Sequence, residues 1–115
     1  MTSLEGRGRL DEIIHPVNRL SICGLLAAGP QWVEFSVVRD TVGVSDSVLS
    51  KQSRILEDAG YLEVRKGAIG RRPRTWFRLT PKGRTAFTQH LTWLQNAAQL
   101  AADQAPADDA ADPDT

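Results

Sequence analysis

Residues 60–84 read GYLEVRKGAIGRRPRTWFRLTPKGR, and this stretch decides the fold. Apolar and charged side chains alternate over residues 61–65, which is the period of a half-buried strand, and residues 75–79 form a second strand-like run. Between them, residues 66–74 hold two glycines, one proline and four bases, a composition typical of a long hairpin tip. Thr80 and Pro81 then suit the N-cap and first turn of a helix. The stretch predicts a β-hairpin with a basic tip, followed directly by a helix.

Two short helices are predicted before this hairpin. Residues 32–34 read as an extended piece, and residues 35–42 carry apolar side chains at helical spacing. Gly43 can adopt the positive φ that a tight turn between helices requires. Ser45 is a good N-cap for the next helix, which we expect to run to about residue 59. The inward side chains of that helix are predicted to be Leu49, Leu56 and Ala59.

Longer helices are predicted at both ends of the domain. Residues 10–28 carry apolar side chains three and four apart, and Pro16 either bends this helix or marks its first turn. Residues 81–100 carry apolar side chains on two adjacent faces. Together these faces offer more apolar surface than a 115-residue monomer needs, so they predict pairing with a second copy of the chain.

The order helix, strand, helix, turn, helix, hairpin, helix is that of a winged helix-turn-helix. We therefore expect a mostly helical α+β fold, dimeric, with a two-stranded wing and an added C-terminal helix. Residues 1–9 are predicted to be a flexible N-terminus and residues 10–100 the domain, with 10–28 and 81–100 as its dimerisation helices. Residues 101–115 contain only Ala, Asp, Gln, Pro and Thr, which predicts a disordered acidic tail.

The net charge of zero hides a strongly basic block. Residues 51–84 carry a charge of +7, whereas residues 1–50 carry −2 and residues 101–115 carry −5. A basic block of this kind favours nucleic acid as a partner.

Two elements within the basic block carry the predicted DNA contacts. The third helix presents only hydroxyls and cations on its outer face, and such groups can approach base edges in a major groove. The hairpin tip gathers three arginines within four residues, which can reach phosphates or a minor groove. The predicted DNA-binding residues are Ser45, Ser47, Ser50, Lys51 and Arg54 on the helix, and Arg65, Lys66, Arg71, Arg72 and Arg74 on the hairpin.

Other classes of protein find little support in the sequence. Cys23, His15 and His90 share no metal-ligand spacing, so we expect no metal, and a lone cysteine on an apolar helix favours packing over redox sensing. No catalytic or phosphate-binding motif is present, so we expect neither an enzyme nor a cofactor. Apolar runs fall far short of the roughly 20 residues that span a membrane, and the expected location is the cytoplasm.

The chain resembles regulators of the MarR and ArsR types. The resemblance covers roughly residues 10–94 and is carried by residues 44–51 and 56–62, by the wing at 63–75, and by the sequence RLTPKGR at 78–84. Within this pattern Ser53 stands where the family has an apolar residue, and Ile55 where it has a polar one.

The resemblance implies a homodimer joined through the first and last helices. The residues of this chain that we expect at that interface are Ile13, Val17, Leu20, Phe87, Leu91, Trp93 and Leu94. It also leaves open an unidentified small-molecule effector, for which Trp32, Phe35 and Trp93 are candidate lining residues, although aromatic residues at such spacings are more often core.

The sequence therefore predicts a sequence-specific double-stranded DNA-binding regulator, acting as a repressor that blocks polymerase at an operator. One alternative is a winged-helix protein-interaction module without specific DNA binding, which would carry an acidic or apolar third helix and a neutral wing. Another is a non-specific architectural binder, which would carry a large positive net charge.

Overall fold

The computed structural model of the chain describes residues 8–104, in which four helices surround a small antiparallel sheet. The helices are α1 (Val17–Ala27), α2 (Phe35–Val42), α3 (Asp46–Asp58) and α4 (Pro81–Gln104), and the strands are β1 (Val33–Glu34), β2 (Leu62–Ile69) and β3 (Arg72–Leu79). This order confirms the predicted winged helix-turn-helix with its wing and added C-terminal helix.

The first helix is shorter than the predicted span of residues 10–28. It begins at Val17 with Pro16 as its N-cap, because proline lacks an N–H and its ring would clash with the preceding helical turn. Upstream, the Asp11 carboxylate accepts the N–H groups of Ile13 and Ile14, at 2.9 and 3.1 Å, and closes a separate turn. The predicted first dimerisation helix therefore starts at Val17.

One apolar core is shared by three helices and the sheet. Leu49 and Leu56, predicted to point inward from α3, are fully buried. The other buried apolar side chains are Ile14, Ile22, Cys23, Leu26, Val38, Leu62, Phe77 and Leu79. The core therefore fixes which face of α3 remains on the surface.

The hairpin is more regular than its composition predicted. β2 and β3 stay paired as far as Ile69 and Arg72, which leaves only two residues in the turn, so the predicted long loop over residues 66–74 is wrong. Gly70 has a φ of +62°, a value that two-residue turns require. Pro73 is tolerated in β3 because β1, the neighbour on its other side, pairs only near the base of the sheet.

The last helix is docked by its first turn against the end of α3. Thr80 Oγ1 accepts the Gly83 N–H at 2.9 Å and donates to the Gly60 carbonyl at 2.7 Å, so Thr80 is the predicted N-cap. The Thr80 N–H also donates to the Tyr61 carbonyl at 3.0 Å. A Cβ at Gly83 would lie 2.9 Å from the Tyr61 Cα and carbonyl carbon and closer still to its oxygen. Only glycine allows this approach.

Both ends of the described chain are more ordered than predicted. The Arg9 N–H donates to the Gln89 carbonyl of α4 at 3.0 Å. α4 continues to Gln104 rather than ending at residue 100, and its last turns are supported by a hydrogen bond between Gln99 and Asp103. The rest of the predicted flexible N-terminus and acidic tail, residues 1–7 and 105–115, lies outside the described residues.

Four polar side chains join the N-terminal residues to α4 and to the end of α3. The Asp11 N–H donates to His90 Nδ1 at 3.0 Å, and the Tyr61 hydroxyl donates to the Asp11 carboxylate. His90 Nε2 lies 3.2 Å from His15 Nδ1. Because Nδ1 of the buried His90 accepts a hydrogen bond, the neutral ring carries its proton on Nε2 and donates it to His15.

His90 makes the stability of the domain depend on pH. Burial and the neighbouring His15 lower the pKa of His90 below 6.5. Between that lowered pKa and 6.5 the unfolded chain binds a proton that the folded chain does not. The contribution of the neutral His90 to the free energy of unfolding is therefore fully present above pH 6.5 and is lost as the pH falls from 6.5 to the lowered pKa. We expect the Tm, followed by circular dichroism, to fall between about pH 7.5 and about pH 5 more steeply in the wild type than in His90→Gln. Parallel pH profiles for the two proteins would contradict this role.

Candidate nucleic-acid interface

The turn between α2 and α3 is fixed by local contacts. Gly43 ends α2 with a φ of +81°, and Ser45 Oγ accepts the Val48 N–H at 3.2 Å as the N-cap of α3. Arg39 of α2 pairs with Asp46 at 2.9 Å, which joins the two helices across the turn. The carboxylates of Asp40, at 2.8 Å, and of Asp46 together raise the pKa of the Arg39 guanidinium above its usual range. The orientation of α3 relative to α2 is therefore held at both the backbone and the side-chain level.

Burial of the opposite side of α3 leaves one polar face exposed. This α3 face consists of Ser47, Ser50, Lys51 and Arg54, and all four side chains are exposed. Ser45 is exposed as well, but its hydroxyl already caps the helix and lies 3.3 Å from the Ser47 hydroxyl. Ser50, Lys51 and Arg54 therefore form the part of the surface that remains free to meet a ligand.

The two positions that depart from the family pattern are accommodated within α3. Ser53 is buried, and its hydroxyl donates to the Ser50 carbonyl at 3.1 Å, so the polar group is satisfied by the helix itself. Ile55 is half-buried and lies outside the core cluster. Neither residue changes which side chains form the α3 face.

The wing divides its cations between two faces. Residues that pair across the hairpin share a face, so Lys66 and Thr75 lie on the inner face with Val64. That face borders α3 in a groove with a volume of about 200 Å³, whose lining includes Ser50, Arg54 and Lys66. Lys66 on the inner face of the wing therefore lines the same groove as Ser50 and Arg54 of the α3 face.

Three of the predicted wing contacts lie on the outer face instead. Arg65, Arg72 and Arg74 alternate with inward residues along the two strands. The Arg65 guanidinium lies 6.0 Å from the Trp32 ring, and Arg74 Nε lies 2.8 Å from Glu34 Oε2. The predicted site thus contains two arginines with partners, Arg65 and Arg74, and it does not gather all three hairpin-tip arginines into one free cluster.

The other cations of this region differ in whether they have partners within the chain. Arg78 pairs with Glu63 at 2.9 Å and stacks on Trp32 at 4.5 Å, while Arg84 donates to two backbone carbonyls. Within residues 8–104 no ion pair or side-chain hydrogen bond engages Lys51, Arg54, Lys66, Arg71 or Arg72. These five unpaired cations define the basic surface, and all of them are in the predicted DNA-binding set.

Sequence reasoning missed Glu34 and Trp32 as residues that organise the wing. Both lie at or beside β1, whose Glu34 is opposite Trp76 of β3. The only signal in the sequence is the short extended piece at residues 32–34. Its pairing with a strand more than 40 residues away cannot be read from local periodicity.

The predicted dimerisation residues fall into three environments. Ile13, Leu20 and Phe87 pack against the core of their own chain. Val17 is 71% exposed. Leu91, Trp93 and Leu94 are half-buried on α4 and lie outside that core cluster.

The surroundings of Cys23 and of the possible metal ligands are defined within residues 8–104. No group of three His, Cys, Asp or Glu side chains within residues 8–104 is placed to hold a metal ion. Burial raises the pKa of the Cys23 thiol to about 12, so the reactive thiolate is disfavoured. Over the same residues, no helix is both long and apolar enough to cross a membrane.

The three aromatic residues predicted to line an effector cavity have different surroundings. Trp32 lies under Arg65 and Arg78 on the sheet, whereas Phe35 packs against Phe77 with ring centroids 5.8 Å apart. Trp93 is on α4, where its backbone lies against Gly8. The three residues therefore lie in three separate regions of the structure.

Comparisons with known proteins agree with this geometry. Residues 18–98 match the family model described as winged helix DNA-binding domain. Over 80 residues the chain is 31% identical to an uncharacterized protein from Methanocaldococcus jannaschii, an alignment that covers 70% of this chain and 86% of the relative.

Two solved structures have a similar fold. The transcriptional regulator homologue from Pyrococcus horikoshii OT3 aligns with a TM-score of 0.72 and 24% identity, covering 79% of this chain and 89% of that one. A MarR-family transcriptional regulator from Silicibacter pomeroyi aligns with a TM-score of 0.59 and 17% identity, covering 83% and 62%.

The family match extends from α1 into α4 and contains both the α3 face and the wing. The matched family is described as a DNA-binding domain and the two solved structures share its fold, which confirms the predicted winged helix-turn-helix. This chain belongs to the winged helix DNA-binding domain family.

Proposed function

We propose that the protein is a sequence-specific regulator that binds double-stranded DNA as a homodimer and represses transcription by occupying an operator. The observation that carries the proposal is the grouping of five unpaired cations on α3 and the wing, while cations such as Arg39 and Arg84 have partners. Repression follows in this proposal from steric exclusion of polymerase at the occupied site.

The α3 face and the wing take different parts in this binding. Ser47, Ser50, Lys51 and Arg54 enter the major groove, where hydroxyls and cations meet base edges. Lys66, Arg71 and Arg72 contact phosphates or the adjacent minor groove, which sets the register of the protein on the duplex. Two copies of the chain place two α3 helices in successive major grooves.

The alternative of a protein-interaction module is not favoured by this surface. Such a module would present an acidic or apolar third helix, whereas the exposed face of α3 carries hydroxyls and cations. A non-specific architectural binder is disfavoured by the net charge of zero.

Selection of binding sites from random duplex DNA tests the function. The wild-type protein should enrich a sequence with two related half-sites about one helical turn apart, centre to centre. Enrichment of no sequence above the starting pool would contradict sequence-specific binding. Retention of every duplex equally would favour the architectural alternative.

Homodimerisation is supported by the apolar surface that remains on α4. Leu91, Trp93 and Leu94 are half-buried without joining the core, and Leu100 is 53% exposed. A second copy of the chain covers this surface in the proposed dimer.

Replacing Trp93 by aspartate should weaken the dimer, because an unpaired charge is poorly tolerated in a buried interface. Sedimentation at micromolar concentration should give about twice the chain mass for the wild type and a shift toward one chain mass for Trp93→Asp. Gln95→Asp adds the same charge at an exposed position of α4 and should leave the dimer intact. A monomeric wild type that still binds DNA would contradict the dimer.

A small-molecule effector is the second part of the proposal. An open cavity of about 810 Å³ lies between the N-terminal residues and the start of α4, and its lining includes Arg9, Tyr61 and Lys82. Two cations beside an aromatic ring suit an aromatic or carboxylate-bearing molecule. Release of the selected duplex on addition of such compounds would identify the effector.

A further inference from the structure

Arg74 differs from its neighbours on the wing in its surroundings. Its Nε lies 2.8 Å from Glu34 Oε2, and the two side chains are 33% and 28% exposed. This Nε is buried, and its contact with the carboxylate is an ion pair whose angle is not that of a hydrogen bond. Since no other group within residues 8–104 accepts from that buried nitrogen, the Glu34 carboxylate is the group that compensates the charge of the guanidinium.

Glu34 occupies a position that connects the wing to the reading helices. It is the last residue of β1, the N-cap of α2, and the partner of Trp76 in β3. Its side chain makes no capping hydrogen bond, so the carboxylate remains available to Arg74. The ion pair therefore joins β3 directly to the first residue of the helix-turn-helix.

Arg72 lies on the same face, two residues closer to the hairpin turn, and has no such partner within residues 8–104. It is exposed and lies at the end of the hairpin opposite Ile69. Arg71 lies in the turn itself and is also exposed. Arg71 and Arg72 are thus free to meet phosphate, while the Arg74 side chain is held against β1 by Glu34.

We propose that Glu34 is a positioning residue that withdraws Arg74 from the phosphate-contacting set and fixes the angle of the wing relative to α2 and α3. This inference rests on the proposed DNA-binding function. Phosphate contacts at the wing tip set the register in which the α3 face meets the bases. The ion pair between Glu34 and Arg74 holds the wing in a fixed orientation, so that the phosphate contacts at its tip and the base contacts of the α3 face can form together.

The test compares single glutamine variants at three positions by titrating duplexes at several salt concentrations. Arg72→Gln should lower the slope of log affinity against log salt by about one, as expected for a lost phosphate contact. Arg74→Gln should leave that slope unchanged. Glu34→Gln should raise it by up to about one on an unrelated duplex, because Arg74 becomes available to phosphate.

Specificity should respond differently from the salt slope. Glu34→Gln and Arg74→Gln should each lower the preference for the selected duplex roughly two- to fivefold, the range expected for a partly exposed ion pair. The double variant should lose no more than either single variant. Glu34→Asp, which keeps the charge, should retain more of the preference than Glu34→Gln.

A measurement without DNA separates this inference from the proposed function. In the free protein, Glu34→Gln and Arg74→Gln should each speed amide hydrogen exchange over residues 72–76 and leave residues 20–27 of α1 unchanged. Unchanged exchange over 72–76 would overturn the positioning role even if DNA binding is found. A decrease of about one in the salt slope of Arg74→Gln would also overturn it, because Arg74 would then contact phosphate.

Discussion

Replacing Arg54 by alanine is expected to lower the preference for the selected duplex over an unrelated one by roughly 5- to 150-fold. The reason is that losing a base-edge contact costs about 1–3 kcal/mol at the cognate sequence. Arg54 is exposed on the α3 face and has no ion pair within residues 8–104. Its guanidinium therefore breaks no ion pair on meeting a base. Lys51→Ala, on the same face, should have an effect of the same kind.

The measurement is a pair of titrations for each variant, on the selected duplex and on a scrambled one of equal length. Arg72→Gln is the matched control, because it removes a wing cation and should lower affinity for both duplexes evenly. Arg9→Ala removes an exposed cation beside α4 and should change neither titration. If Arg54→Ala and Lys51→Ala both leave the ratio unchanged, α3 is not the reading helix.

The local features of the fold could be predicted because they depend on neighbouring residues. Ser45 and Thr80 were predicted as N-caps, and each accepts a backbone N–H three residues ahead of it. Gly43 was predicted at a turn and has a positive φ. Capping and turn formation involve atoms within a few residues, so the sequence carries the whole signal.

The hairpin tip shows where local composition is insufficient. Gly67, Gly70 and Pro73 predict a loop, but the strands continue through two of them because each pairs with a residue of the opposite strand. Gly67 also accommodates the Trp76 ring, which would lie 3.3 Å from a Cβ at this position. The residue type alone does not distinguish a glycine that makes room for a neighbouring ring from a glycine that forms a turn.

Long-range polar contacts could not be predicted for a different reason. His90 is fully buried and bonded to Asp11 and His15, which come 79 and 75 positions earlier in the chain. The partner of Arg74 is Glu34, 40 positions earlier in the chain. These pairs depend on how helices and strands pack, and periodicity within one element does not contain that information.

The change with the largest expected effect on stability is Gly83→Ala. Alanine within a helix ordinarily stabilises a protein relative to glycine, because the unfolded chain loses conformational freedom. At Gly83 the added methyl group would overlap the Tyr61 backbone, which is held in place by its own hydrogen bond to Thr80. We expect a loss of about 3 kcal/mol in the free energy of unfolding, the upper range for overpacking. For a domain of this size that corresponds to a decrease in Tm of roughly 12–24 °C.

Gly24→Ala is the matched control, because it makes the same chemical change in the middle of α1. Among the residues that the structure describes, a Cβ there would meet only the Phe87 ring, at an ordinary contact distance of 3.7 Å. We therefore expect Gly24→Ala to raise the free energy of unfolding by about 0.4–1 kcal/mol. The two variants should move the Tm, measured at equal protein concentration, in opposite directions. Since the Gly83 contact docks α4 against the residues that follow α3, Gly83→Ala should also weaken binding of the selected duplex, whereas Gly24→Ala should not. A Tm for Gly83→Ala at or above that of the wild type would show that α4 can shift away from Tyr61 without cost, and the close docking of the two elements would then not be required for the fold.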